Sequence, residues 1–198
     1  MANVNAPFGF SQRKGTGSAP TFEQVPMLIA STNGTAIFYG DAVVPVTGSA
    51  TGYIKQATAS TVALAGIFVG CKYLSTAQKR TVWSNYWPGS DATGDVTAYV
   101  INDPNAQFVA QAGGTNVGLA QIGSNIQLNV GTGSTATGLS GMYVESPATT
   151  ATLPFRVVGL VADPPGVNGT NTTGSYNFVI VQFNNSLARA SGAQTGIS

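Results

Sequence analysis

Apolar positions along this chain fall in short β-rich runs cut by turn residues, and no window holds a sustained helical period. From Ala36 onward, Ile37-Phe38-Tyr39, Ala42-Val43-Val44, Tyr53-Ile54, Val62 to Val69 and Val82-Trp83 are separated by Gly, Asn, Asp or Ser. Val96 to Ile101 follows, closed by Asn102-Asp103-Pro104-Asn105 as a turn, and then the alternating run Gln107 to Gln111, which predicts a hairpin about that turn. Ile126 to Val130 alternates strictly, and Met142 to Glu145, Phe155 to Val161 and Phe178 to Phe183 complete the strands. Gly131 to Gly138 and Gly166 to Gly174 are too rich in Gly, Thr and Asn for element interiors and predict flexible surface loops. A short helical turn fits Val117 to Ile122.

Ahead of these runs, the first 26 residues contain Pro7, Pro20 and Pro26 with Gly9, Gly15 and Gly17, and show neither period. This pattern predicts three parts: an extended N-terminal arm over 1–26, a β-domain over 27–186 and a flexible tail over 187–198. The fold class is all-β, a single β-sandwich or β-barrel domain, since both architectures shelter strand edges. A repeat of 20 to 50 residues is absent, which disfavours propellers and solenoids.

Composition sharpens the picture. Charged residues are 8% of the 198, against roughly a quarter in ordinary soluble domains, so the polar surface is built from Ser, Thr, Asn, Gln and Gly. A net charge of +1 provides no electrostatic drive toward nucleic acid or anionic membrane. Low charge also weakens colloidal repulsion, which favours life in an assembly. The expected protein is soluble, with no basic and apolar leader at its start and no apolar run long enough to span a bilayer. Asn33, Asn168, Asn171 and Asn184 stand in glycosylation-like tripeptides, which a chain this rich in Asn and Thr produces by chance.

Candidate chemistry is sparse. The chain has no His and a single cysteine, Cys71, which removes the commonest general base and any zinc set; catalytic residues, cofactor and metal are all expected to be none. Asp91 and Asp95 flank Ala92-Thr93-Gly94 and read as a solvated turn rather than a calcium loop, which needs more oxygen ligands. Gly131-Thr132-Gly133-Ser134-Thr135-Ala136 matches a relaxed dinucleotide fingerprint but lacks the strand and helix that make one work. Lys55, Lys72 and Lys79 are expected to face solvent. Tyr73, Trp83, Tyr86, Trp87 and Tyr99 cluster in the middle of the chain; they read as core or interface anchors, or, if exposed, as a platform for sugar rings.

Ala2-Asn3-Val4-Asn5-Ala6-Pro7-Phe8-Gly9-Phe10 resembles the opening of a family of tailed-bacteriophage virion proteins that includes capsid decoration, or cement, proteins. The resemblance extends to Gly66-Ile67-Phe68-Val69-Gly70, to Gly133 through Gly141, and to Leu153 through Val161. It departs after Phe10, where Ser11-Gln12-Arg13-Lys14 replaces the Arg-Pro continuation of the family. What the resemblance implies is a non-enzymatic structural protein of the virion, made in the bacterial host cytoplasm. Such a protein sits as a homotrimer on the outer capsid surface and cements neighbouring copies of the major capsid protein, with no small-molecule substrate, nucleic acid or membrane as partner. The arm, through Val4, Pro7, Phe8, Phe10, Arg13 and Lys14, is the expected capsid contact, because an extended segment can add a strand to a partner's sheet. A tail-tube, tail-fibre or baseplate component shares this composition, and a carbohydrate-binding module is the alternative of another class.

Overall fold

Strand alternation sorts the apolar residues onto sheet faces, and the computed structural model of the chain shows where those faces go. It describes residues 3–17, 23–48, 52–161 and 174–188. Two antiparallel sheets of six strands pack together in a sandwich-like, all-β domain. The first sheet runs in the order β1 (Ser11–Lys14), β8 (Gln107–Gln111), β12 (Phe178–Phe183), β11 (Phe155–Leu160), β9 (Asn125–Asn129) and β10 (Tyr143–Ala148). The second runs β2 (Val25–Ile29), β7 (Val96–Ile101), β5 (Gly66–Leu74), β3 (Ala42–Pro45) and β4 (Ile54–Gln56), with β6 (Thr81–Ser84) on the far half of β5. Each sheet curls: Ala112 bridges Val144 between the end of β8 and β10, and Leu28 bridges Tyr53 between β2 and the start of β4.

The part of the second sheet that lies over the first is buried on both faces, which explains why the first half of β5 reads as a continuous apolar run. Ala42, Ile67 and Ile101 face the first sheet and join Phe108, Val181, Phe155, Ile126 and Leu128 in one core. Their neighbours Val43, Phe68 and Val100 point the other way, into a second core with Ile29, Ile54, Tyr73 and Trp87. Trp87 is fully buried; its ring meets Tyr73 edge-on at 5.1 Å and its indole N–H donates to the Asn33 carbonyl at 3.2 Å.

Several sequence expectations need correction. Asp103 does organise the turn at 102–105, accepting the Asn105 amide at 2.9 Å, but β7 and β8 lie in different sheets, so the turn is a crossover and not a hairpin. The turn chemistry fixes a reversal of the chain; it does not choose which sheet takes the next strand. The run at Val62 to Val69 becomes a strand only at Gly66 and continues through Lys72 to Leu74. Ile37 and Tyr39 make single bridges, to Trp87 and Leu139, rather than a ladder. The helical turn appears as a 3-10 turn at Leu119–Gln121.

The extended arm expected over 1–26 is, where it is described, part of the domain. Residues 1–2 and 18–22 lie outside the described residues, but 3–17 pack on their own domain. Phe10 is buried in the first core, its ring stacked on Phe155 at 4.5 Å, and Ser11–Lys14 pair with β8 as the edge of the first sheet. The β-domain therefore includes β1 and the whole of β2, which begins at Val25, ahead of the expected boundary at 27. Of the expected tail, Leu187 donates its amide to the Leu64 carbonyl, and residues 189–198 fall outside the description.

Candidate interaction surfaces

Ahead of β1, the N-terminal segment is held by side-chain amides rather than by a ladder. Gln111 spans it, accepting the Ala6 amide at 2.8 Å and donating to the Val4 carbonyl at 2.8 Å, while the Asn3 amide donates to Asn177 Oδ1 at 2.9 Å. Gly9 then turns the chain inward with φ +79°, its amide donating to the Met142 carbonyl. A Cβ there would come within 2.7 Å of the Gly40 carbonyl oxygen, so a side chain is excluded by space as well as by backbone angle. The next amide, of Phe10, donates to that same Gly40 oxygen at 2.9 Å. At the far end Thr16 donates twice to Asp103, closing the segment onto the crossover.

Held this way, the six residues expected to contact a partner separate. Phe10 is consumed by the core, and Phe8 is half-buried with its ring edge-on to Phe178 at 5.8 Å. Pro7 is half-buried. Val4 stands out with 70% of its surface exposed. Arg13 and Lys14 sit on β1, which among the described residues pairs with β8 alone, leaving its other edge unpaired by them. Register places Lys14 beside Gln107, Gln107 beside Gln182, and Gln182 beside Arg156, a polar row running across four strands of the outer face. A Ser-x-x-Lys spacing, Ser11 to Lys14, lies along this edge strand, where neither residue is buried as a Lys base would require.

Carboxylates that could do chemistry are tied up structurally. Asp41 is buried beside β3 and accepts the Phe38 amide at 2.8 Å, the Gln56 side-chain amide at 2.8 Å and the Ser140 hydroxyl at 2.6 Å. Burial pushes its carboxyl above the ordinary Asp range, while the three donors pull the other way. Asp91 is the opposite case: a half-buried carboxylate held below the usual range by the Ser75 hydroxyl, then the Ala77 amide and the Thr76 hydroxyl, all of which favour the anion. It caps the β5–β6 turn. Asp95 accepts the Tyr53 hydroxyl at 2.9 Å, and that bond raises the tyrosine. Among the described residues no group of three His, Cys, Asp or Glu side chains is arranged to hold a metal. Burial pushes the Cys71 thiol up to about 12, so it is an inert core group.

The loop 131–138 is not a flexible phosphate cradle. Ser134 and Leu139 close it with a 2.9 Å backbone bond, the Gly138 carbonyl accepts the Tyr39 amide, and the Thr137 carbonyl accepts the Asn85 side chain. Its partner at 166–174 lies outside the described residues except Gly174.

The aromatic cluster divides cleanly. Tyr73 and Trp87 are core; Tyr86 stacks on Phe38 at 5.6 Å; Trp83 is 66% exposed and lies nearly parallel to Tyr99, at 9° and 5.8 Å. No spacing in the sequence distinguishes Trp83 from Trp87. Lys55, Lys72 and Lys79 are exposed, and the Lys72 ammonium sits 5.0 Å from the Trp83 ring centre. Compared with protein-family models, curated proteins and solved structures, the chain matches none.

Proposed function

We propose that this chain is a structural protein of a tailed-phage virion, which binds the outer capsid as an oligomer and cements neighbouring major capsid subunits. The observation that supports it best is the state of the segment that carries the family resemblance. Residues 3–14 form a fixed surface rib, anchored through Asn3, Gln111 and Phe10, that presents Val4 and an open strand edge bearing Arg13 and Lys14. A preordered rib loses little conformational entropy on docking, unlike a free arm. Lys and Arg on a sheet edge discourage indiscriminate pairing, so a partner strand must bring acidic side chains to that edge. The nearly uncharged remainder of the surface suits a contact that tolerates salt.

Cementing then works by mass action: a protein that binds only the assembled shell stabilises it by its binding free energy at every site. The test is cosedimentation of the purified protein with undecorated capsid shells, beside sedimentation equilibrium for its oligomeric state. The wild type binds and sediments at three times the 20.1 kDa chain mass. The double reversal Arg13→Glu/Lys14→Glu abolishes capsid binding while the far-ultraviolet dichroism stays that of the wild type. Binding that survives this reversal overturns the assignment of the edge, and a protein that never binds shells overturns the function.

A further inference from the structure

We propose that the outward face of β6, β5 and β7 is a binding platform for a neutral saccharide, with the exposed Trp83 ring, backed by Tyr99, stacking on a pyranose ring. The two rings come from strands that flank β5, and they meet above Gly70. Register pairs Gly70 with Tyr99 on one side, and Lys72 with Trp83 on the other. Gly70 has φ +147°, and a Cβ there would approach the Ser84 carbonyl oxygen at 3.0 Å, so the floor between the rings carries no side chain. The result is an open cleft of about 660 Å³, within the range of small-ligand sites, lined by Gln24, Val69, Gly70, Trp83, Asn85 and Tyr99 among others.

The chemistry of the lining selects the occupant. A pyranose has an apolar C–H face and a rim of hydroxyls, so it needs an aromatic plane beside neutral donors and acceptors. The cleft supplies both. Asn85 donates its amide to the Thr137 carbonyl, which fixes the side chain. The Ser84 hydroxyl accepts the Tyr86 amide and keeps its own proton for donation. Among the described residues none that lines the cleft is charged, which favours a neutral occupant. Lys72 instead lies against the Trp83 ring and steadies it.

The two tryptophans make the test direct, because Trp87 is buried and Trp83 is exposed. Tryptophan emission is titrated with maltotriose, cellotriose and N-acetylchitotriose, and the same protein is applied to an array of neutral glycans. The expected result is a blue shift and saturable change with at least one neutral glycan, insensitive to salt. In Trp83→Ala the change disappears and affinity on the array falls by about tenfold or more, while the remaining Trp87 emission reports an intact fold. Gln24→Ala, which touches only the rim, weakens binding less. Absence of binding to every neutral glycan overturns the proposal, as does binding that persists in Trp83→Ala. Concentration-dependent self-association that Trp83→Ala abolishes, without any sugar response, overturns it too and assigns the face to a second copy of the chain. Capsid binding by Trp83→Ala stays at the wild-type level, which separates this site from the edge at Arg13 and Lys14.

Discussion

Phe10 and Trp83 are aromatic residues in equally polar, glycine-bearing stretches, and the fold treats them in opposite ways. Phe10 sits in a segment rich in Pro and Gly, yet it is 1% exposed and stacked on Phe155, itself stacked on Phe183. Trp83 sits on a regular strand, yet two-thirds of it is in solvent. The difference follows from what each strand covers. The chain around Phe10 is drawn over the rim of the first core by Gly9 and Gln111, whereas Trp83 on β6 stands on the solvent side of the sheet, beside Lys72 and Tyr99. Local texture therefore does not report which part of a β-protein is a handle and which is foundation.

The sharpest way to break this comparison is to truncate the foundation. Phe10→Ala should cost about 3–5 kcal/mol in urea unfolding, the usual loss for a buried Phe, a large share of a typical domain's roughly 5–15 kcal/mol. Deleting residues 1–14 should unfold the domain, seen as lost near-ultraviolet dichroism, because it removes both Phe10 and strand β1. A folded deletion product would show that the segment is an arm after all.

Next in size is the polar hub that the N-terminal rib overlies. Asp41→Asn keeps the shape but offers one acceptor oxygen where the carboxylate has two, and turns an N–H₂ group toward existing donors. About 2 kcal/mol of stability should be lost at neutral pH, measured by urea unfolding. Trp83→Ala, by contrast, should cost about 1 kcal/mol or less, the worth of its stacking on Tyr99. If it cost as much as Phe10→Ala, the platform would be structural.

The smallest effect is in pH dependence, where two carboxylates act with opposite sign. Asp41 is raised in the folded state, so its share of stability is present in full below the ordinary Asp range and is lost as pH rises through its raised value. Asp91 is lowered, so its share is present above the ordinary range and is lost as pH falls through its lowered value. In urea midpoints followed against pH, Asp91→Asn should flatten the acid limb, and Asp41→Asn should flatten the decline on the other side.

Much of the fold was legible in the residues. Val96–Ile101, Gln107–Gln111 and Phe178–Phe183 have the bounds that alternation and punctuation predict, because a period of two on a half-buried sheet is a local property. Lys72 hid the second half of β5, since one exposed cation on an outward position looks like the end of a run. The Asp91 cap was visible as a turn, but its donors Ser75 and Thr76 come from the β5–β6 turn, 16 and 15 residues back along the chain. The candidate surfaces were less legible: of the six residues singled out in the first 14, Phe10 went to the core and Arg13 and Lys14 to a strand paired with β8, and the separation of Trp83 from Trp87 carried no signal in spacing.

By itself, then, the sequence determined an all-β chain with little charge and no His, because strand propensity, turn chemistry and composition act over a few residues at a time. Tertiary structure alone decided that the N-terminal segment is a strand of the domain, that the turn at Asp103 crosses between sheets, and that Trp83 rather than Trp87 is exposed. Each of these depends on contacts between residues far apart in the chain, such as Phe10 with Phe155 or Gly70 with Tyr99. Such contacts are chosen by how whole sheets bury their faces, which no local pattern encodes.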